Sequence, residues 1–597
     1  MNVLLDSFSV LLGQWWLVAG ILCIIFLGQI LIWSLLKIIF NDQLTPGEHY
    51  SLSLAGWMLP IFMASGLWLS WRFFQRLEGS ALIVLLLIAL LAVLLVLRIR
   101  KDLLQDSKTI LFVLVLLTGL FIFLRLAFIS KAAIPLYFDS AQHYLIIKNL
   151  LGNPIPTWPP TAYYHIGFHI VAAFSASILQ VDIISIMLVL GQMILAGIPL
   201  SVFLLIRHET QSNRAGIFSV LLAAFGWYMP AHAVDWGKYP ALTSLAVTTF
   251  AVSLAYLSIR HRKTLSSGKY LSLNAILLSG IATSALTHSR SLVIFGIVIL
   301  AWIIATVWQK LPRLPQIIFF SAVILGISAE IIFIRAKAVL GPLFDPYISK
   351  GLLVTGIVLF LSIFAQWVYP KMAFSIILAI FLLFGSLFIP VQGLPGYIDL
   401  TLLDRPFVEM ILFLPFAFLG GLGLAGLEQI SQRAQARMGN IAFLWGKYIS
   451  VLLVAILFIN AMFKYEVYPS GCCSIVGRDD LVALDWMDKN LPPEARILTS
   501  STELSVLATE SFQGSAGGDA GTWINPLTDR VTLSLPYFSD FSQPTTLETL
   551  CNMQASYIYV GETGLTFDDA KITPHPDWYK ALLSMPKVKV YQVIGCK

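Results

Sequence analysis

Residues 109–129 read TILFVLVLLTGLFIFLRLAFI, a run that is almost wholly apolar. The hydrocarbon core of a bilayer is about 30 Å thick, and a helix needs about 20 residues to cross it. This run therefore predicts a transmembrane helix. It is followed by a polar stretch rich in proline, which carries Asp139. An isolated carboxylate at the mouth of a helical bundle is costly unless it is solvated, paired or used.

Comparable runs recur along most of the chain. Of its 597 residues, 58% are hydrophobic and 12% charged, which excludes an ordinary soluble protein. The sequence predicts a polytopic α-helical membrane protein with about fourteen spans, and the first run is too long for a cleaved signal peptide. The runs lie at 15–40, 52–71, 79–98, 109–129, 184–206, 215–230, 239–259, 271–287, 290–309, 316–334, 351–369, 372–389, 406–427 and 441–463.

Basic residues in short loops indicate the orientation, because they stay on the cytoplasmic side. The loops at 98–108 and 260–269 are basic and are placed inside. The number of crossings between these two loops places both of them inside only if the stretch 162–180 lies along the outer interface instead of crossing. The large loop 130–183 is then extracytoplasmic, and the cell (plasma) membrane is the expected location. Arg72 and Arg76 come out on the outer side, against the rule.

The composition changes after residue 463, where charged residues, Gly and Pro become frequent. We expect residues 464–597, here called the tail, to form a soluble extracytoplasmic α/β domain. The pattern predicts three units, each a helix followed by a strand. Their ranges are 481–487 (capped by Asp479 or Asp480) with 496–499, 546–553 with 557–560, and 578–585 with 588–593.

Four of the five cysteines fall in the tail, and on an oxidising face they predict disulfides. Adjacent cysteines rarely pair, so Cys472 and Cys473 are each expected to bridge to Cys551 or Cys596. Cys23 is expected to be inert. A zinc site is disfavoured because CxxC spacing and a nearby histidine pair are missing. The glycine-rich stretch 514–521 is not a phosphate loop; it is read as a flexible surface loop or as one that touches substrate.

The candidate site begins with Asp139 and His143, which are four residues apart and would share one face of a helix. The pair could hold a divalent metal, or act as a base with a tuning neighbour. Equally, Asp139 could cap the helix that follows. His165 and His169 would likewise share one face of a helix, and for these two we favour a structural role as buried histidines.

Five more polar groups are predicted on the same outer face. Asp235 and Lys238 offer an acceptor and a phosphate-pairing cation, or alternatively an ion pair at headgroup depth. His288 and Arg290 stand between two apolar runs, where an arginine is costly unless it meets an anion. Arg405 is a second such cation, for which an ion pair with Asp404 or Asp399 is the alternative. A lipid-linked phosphate approaching from the membrane would meet these cations.

The motif 138–144, FDSAQHY, and the run 158–164, WPPTAYY, resemble the acidic motif and the proline-aromatic run of the polytopic GT-C glycosyltransferases. The resemblance implies a GT-C-like transmembrane domain at 109–463, with the helices of 1–108 as an addition. It implies that Asp139 is the general base and that Lys238, Arg290 and Arg405 stabilise the leaving phosphate. His143, Asp235 and His288 would bind substrate.

The expected function is therefore transfer of a sugar from a polyprenyl-phosphate-linked donor to a lipid, glycan or protein acceptor. Membrane lipid is a further partner, and nucleic acid is not. The sequence assigns no metal ligand and no certain cofactor; a divalent cation (Mg or Mn) remains an alternative. A transporter or flippase of a lipid-linked or anionic solute is the rival function, which Glu330 within a span favours. A non-catalytic membrane scaffold is a third.

Overall fold

The computed structural model describes residues 2–75, 80–99, 108–152, 165–391, 400–438, 440–504 and 514–596. Among the described residues up to 464 the regular elements are helices, apart from a short antiparallel pair of β1 (Pro390–Val391) and β2 (Leu400–Thr401). The helices are α1 Asn2–Gly13, α2 Trp15–Phe40, α3 Pro46–Gly56, α4 Met58–Gln75, α5 Ser80–Ile99, α6 Lys108–Ile129, α7 Tyr137–Gly152, α8 Gly167–Leu179, α9 Ile183–Gly197, α10 Phe203–Thr210, α11 Asn213–Phe225, α12 Ala231–Asp235, α13 Tyr239–Arg260, α14 Ser267–Thr287, α15 Arg290–Trp308, α16 Arg313–Ala336, α17 Leu352–Val368, α18 Pro370–Ser386, α19 Arg405–Ile411, α20 Phe413–Met438 and α21 Asn440–Lys464.

The polytopic helical architecture is confirmed. All fourteen apolar runs fall on helices, and ten helical segments in the described part of the chain are long and apolar enough to cross a membrane. An eleventh would join 341–349 to α17 across a bend of 85°. The other runs fall on shorter apolar helices, so the count of fourteen stays a prediction.

Helix α8 covers most of the stretch 162–180, which is predicted to lie along the outer interface. Its 13 residues are too few to cross a bilayer, and its position relative to the membrane stays a prediction. Its residues from Gly167 to Ala176 are all buried, and the helix packs against α4, α7, α9 and α13. Residues 153–164, including the run with Pro159 and Tyr164, lie outside the described residues.

The tail holds a mixed sheet, which confirms the C-terminal sheet region. Its elements are α22 Arg478–Asn490, β3 Arg496–Glu503, β4 Ser515–Gly517, α23 Ile524–Thr528, β5 Val531–Pro536, α24 Pro544–Asn552, β6 Tyr557–Val560, β7 Tyr579–Ser584 and β8 Lys589–Val593. Strand β3 pairs in parallel with β5 and β6 and antiparallel with β4. Strand β8 pairs antiparallel with β6 and β7. Asp480 closes the start of α22 by accepting from the Gly477 N–H, at 2.6 Å.

Two predictions for the tail are wrong. The stretch 578–585 is not a helix but contains strand β7, because pairing with β8 overrides the helix preference of its Ala and Leu residues. The cysteines pair as Cys472 with Cys473 and Cys551 with Cys596. Helix α24 lies against the end of β8, where Leu547 approaches Gly595, and this brings Cys551 to Cys596. Cys23 is free and exposed.

Candidate functional site

Helix α7 carries Asp139 in its first turn, and both of its ends are fixed. At the start, Tyr137 has a left-handed backbone (φ 66°), and its N–H donates to the carbonyl of Cys473 at 3.0 Å. At the end, the Arg72 guanidinium donates to the carbonyls of Leu150 and Leu151, at 3.0 and 2.5 Å. Arg72 thus lies on the same side of the bundle as α7, where its charge satisfies a helix C-terminus.

One flank of α7 belongs to the core of the tail. Ala141 is fully buried in a hydrophobic cluster with Trp523 and Ala483 of the tail. The ring of Tyr144 meets Trp523 edge-on, with centroids 5.7 Å apart. Lys148 Nζ lies 2.7 Å from the Asp529 carboxylate. We call this end of the bundle the site face, since it carries both α7 and the tail.

The carboxylate of Asp139 forms an ion pair with Lys238, the residue that precedes α13. The alternative pair between Asp235 and Lys238 is not formed. Gly237 makes the approach of the two segments possible, because it has φ +63° and a Cβ there would lie 2.5 Å from Ser140 Oγ. A left-handed backbone pressed against a helix favours glycine.

A second ion pair joins Arg290, the first residue of α15, to Asp404. Asp404 also caps α19, since its Oδ1 accepts from the Phe407 N–H at 3.0 Å. Arg405 pairs with Glu409 at 3.3 Å rather than with Asp404. Its Nε is buried and, within the described residues, donates no hydrogen bond. Asp399, the other predicted partner, lies outside the described residues.

The two ion pairs are neighbours, and we call Asp139, Lys238, Arg290 and Asp404 the ion-pair cluster. Burial lowers the pKa of Lys238, but the charges of Asp139 and Asp404 raise it above its usual value. Burial raises the pKa of Tyr137, and the charges of Lys238, Asp139 and Arg405 also act on it. Three cations and three carboxylates from four separate chain segments therefore converge on the site face, since Arg405 brings its own partner Glu409.

Histidines surround the ion-pair cluster in their neutral form. His143 Nδ1 lies 3.0 Å from His169 Nε2, and burial, with the charge of Lys238, lowers the pKa of His143 to about 3. Burial, with the charge of Arg290, lowers the pKa of His165 to about 4. The rings of His165 and His288 stack at 4.7 Å, and His288 stacks on Phe407 at 4.9 Å.

The alternative in which Asp139 and His143 together hold a metal gains no support, because Asp139 pairs with Lys238 and His143 with His169. Among the described residues, no group of three or more potential metal ligands includes either side chain. The capping alternative also fails, since Asp139 lies inside the first turn of α7 and not before it. His169 is completely buried, as a structural role for it would require.

Asp235 lies apart from the ion-pair cluster. Its Oδ2 is 3.1 Å from His232 Nδ1, and its Oδ1 accepts from the Ser470 N–H at 3.2 Å. Glu466 Oε2 is 3.5 Å from the same imidazole nitrogen. Sequence reasoning missed His232 and Glu466. The only signal was the spacing of His232 and Asp235 on one helical turn, because Glu466 is remote in the chain.

An apolar cavity of about 150 Å³ lies between α13, α15, α18 and α20, and its described lining does not include the ion-pair cluster. Ile294, one turn after Arg290, and Ile411, at the end of α19, line the part nearest the site face. Ile259 and Trp302 line the other end, near the last turn of α13. The cavity therefore follows the helices away from the cations.

Comparison with known proteins does not identify a family for this chain. No protein-family model matches the chain, and a search among curated proteins found no match. The function is therefore argued from the site alone.

Proposed function

We propose that the protein is a membrane glycosyltransferase that moves a sugar from a polyprenyl-phosphate donor to an acceptor hydroxyl at the site face. The observation that carries the proposal is the ion-pair cluster itself. Asp139 is paired there with Lys238 and Asp404 with Arg290, and Ile294, one helical turn after Arg290, lines the apolar cavity. A polyprenyl-phosphate sugar would match this site, with its phosphate near the cations and its apolar chain in the cavity.

The donor phosphate would be held by Lys238, Arg290 and Arg405. Arginine forms two parallel hydrogen bonds with phosphate, and such contacts are strong in a site that excludes water. Arg290 would exchange its carboxylate partner Asp404 for the phosphate, and Arg405 offers an Nε–H that makes no hydrogen bond within the described residues. Asp404 stays occupied as the cap of α19, so the exchange leaves it with a partner.

Asp139 would act as the base in a single displacement. The acceptor oxygen attacks the anomeric carbon and forms the new glycosidic bond, while the bond from that carbon to the phosphate oxygen breaks. The acceptor proton passes to the Asp139 carboxylate, and the bond electrons leave with the polyprenyl phosphate. Attack from the opposite side inverts the anomeric carbon. The cations stabilise the negative charge that develops on the phosphate in the transition state, and this stabilisation accelerates transfer.

The apolar cavity would take the first isoprene units of the donor. Its near end lies one helical turn from Arg290, and its lining is almost entirely aliphatic and aromatic. The neutral ring stack of His165, His288 and Phe407 would contact the sugar without adding positive charge.

The site face is proposed to be extracytoplasmic, in the cell membrane. Basic loops at the opposite ends of the helices, around Arg207 and Arg260, support this orientation under the positive-inside rule. The tail would then bound the acceptor side. A cavity of about 260 Å³ between residues 131–136 and 474–481, with Lys131 and Arg478 among a mostly apolar lining, supports an acceptor path there.

The rival function is translocation of the same lipid-linked solute. The length of the apolar cavity, from Ile294 to Ile259, favours this alternative, as does Glu330 inside α16. The two functions differ in their products. Purified protein in liposomes that contain radiolabelled polyprenyl phosphate mannose or aminoarabinose, with membrane extract as acceptor, separates them. Transfer yields free polyprenyl phosphate and a labelled acceptor, whereas translocation moves the intact donor between leaflets and leaves the sugar–phosphate bond whole.

A further inference from the structure

A second group of polar side chains lies where the tail joins the helices. His232 belongs to α12, Asp235 is its last residue, and Glu466 follows the end of α21. One ligand atom from each of the three lies within 4.8 Å of those of the other two. We call these three residues the junction cluster. It is distinct from the ion-pair cluster and has no part in the proposed transfer.

The junction cluster is shielded from solvent. His232 is 6% exposed and Asp235 is 1% exposed. Glu466 is partly exposed, but its Oε2 is buried and accepts no hydrogen bond from the described residues. The Ser470 N–H occupies Asp235 Oδ1, which leaves Oδ2 directed at His232. Three potential metal ligands, one imidazole nitrogen and two carboxylate oxygens, therefore lie close together.

The surroundings are those of an oriented ligand set. Tyr228 Oη lies 3.3 Å from His232 Nε2, so the second ring nitrogen is held while Nδ1 faces the carboxylates. Such partners fix the tautomer of a metal-binding histidine. Lys350 Nζ approaches the other oxygen of Glu466, at 3.9 Å. Burial lowers the pKa of His232, but Asp235 and Glu466 raise it above its usual value, so a proton competes for the same nitrogen.

We propose that His232, Asp235 and Glu466 bind a divalent transition-metal cation, with Zn²⁺ as the preferred ion. One imidazole and two carboxylates are a ligand set for Zn²⁺ or Mn²⁺, while Ca²⁺ requires six or more oxygen ligands. The cation would replace the proton on Nδ1 and neutralise both carboxylates. It would tie the start of the tail to the segment that leads to Lys238.

The neighbouring cysteines do not supply ligands in this state. Their sulfur atoms also lie within 4.8 Å of a His232 nitrogen. Because Cys472 and Cys473 are joined as a disulfide, neither is a thiolate. The expected shell around the metal is therefore nitrogen and oxygen.

Metal binding is measured on the full-length protein in detergent after treatment with a chelator. Equilibrium dialysis against ZnCl₂, MnCl₂ or CaCl₂, followed by elemental analysis, should give about one Zn²⁺ per chain, weaker Mn²⁺ binding and no Ca²⁺. Glu466→Gln should weaken Zn²⁺ binding by about tenfold or more, since even residues behind the ligands cost that much. Glu494→Gln, an exposed carboxylate of the tail, is the matched control and should bind like the wild type.

A wild-type protein that retains no Zn²⁺ above the control without protein would overturn the proposal. So would a Glu466→Gln variant that binds Zn²⁺ as the wild type does, because the proton on His232 would then suffice to hold the cluster together. If the variant does not fold, X-ray absorption at the zinc edge of the wild type decides: a shell of nitrogen and oxygen supports the site, and a sulfur shell contradicts it.

Discussion

Asp139 and Lys238 form an ion pair although 99 positions separate them in the chain. The contact depends on two backbone features. Tyr137 starts α7 in a left-handed conformation held by the Cys473 carbonyl, and Gly237 lets the segment before α13 press against Ser140. The pair is thus set by the tail and by two loops together. In the proposed mechanism these contacts determine where the base stands relative to the phosphate.

Substitution of Gly237 by alanine should disturb this pair. The residue has φ +63°, and the added Cβ would lie 2.5 Å from Ser140 Oγ and 3.1 Å from the Ser140 backbone nitrogen. We expect a loss of about 1–3 kcal/mol in stability, measured as a lower midpoint of thermal unfolding in detergent. Gly268→Ala serves as the control, because nothing lies within 4 Å of a Cβ there. Equal midpoints for the two variants would remove the special role of Gly237.

Arg290→Gln should weaken donor binding. The substitution removes a guanidinium from the proposed phosphate site and leaves Asp404 without an ion-pair partner, with only its capping bond from the Phe407 N–H. We expect the KM for the polyprenyl-phosphate donor to rise about tenfold or more, with the KM for acceptor unchanged. Arg335→Gln, at an exposed position near the end of α16, is the control.

The double variant Arg290→Gln with Asp404→Asn separates stability from binding. Asparagine still caps α19, and no uncompensated carboxylate remains. We expect the thermal midpoint to recover while the donor KM stays high. If the donor KM also returned to the wild-type value, Arg290 would serve only to neutralise the charge of Asp404.

Acid should destabilise the protein through His143. Its pKa is about 3 in the fold, because burial disfavours the charged ring, against about 6.5 in an unfolded chain. Between those values the unfolded chain binds a proton that the folded protein does not. The stability present above about pH 6.5 is therefore lost as the pH falls, by about 1.4 kcal/mol per pH unit. His143→Gln should show a shallower fall in thermal midpoint between pH 6.5 and 5, and the same slope as the wild type above pH 7.

Much of the architecture was predictable, because apolar run length reports directly on helices that cross a membrane. Every apolar run falls on a helix, and strand β6 occupies the predicted range 557–560. The convergence of Asp139, Lys238, Arg290 and Arg405 could also be predicted, since it follows from assigning loops to one side. The structure brings these four together with His288.

The wrong predictions share a physical cause. Where the local sequence allows two partners or two kinds of secondary structure, tertiary contacts decide which one forms. Asp235 could pair with Lys238 by spacing, but Glu466 and Ser470 from the tail draw it to His232. Strand β7 forms only because β8 is beside it. The pairing of Cys551 with Cys596 depends on where α24 packs, which no spacing reveals.

The most direct measurement compares sugar transfer by the wild type, Asp139→Asn and Asp182→Asn in liposomes with radiolabelled polyprenyl phosphate mannose or aminoarabinose and a membrane-extract acceptor. Asp182 is an exposed carboxylate beside α7 that caps α9, and asparagine caps equally well, so it matches Asp139 in chemistry and location. We expect Asp139→Asn to lower the transfer rate per folded protein by about 10² to 10⁴-fold, and Asp182→Asn to leave it unchanged. Transfer by Asp139→Asn at the wild-type rate would contradict the proposed role of this carboxylate.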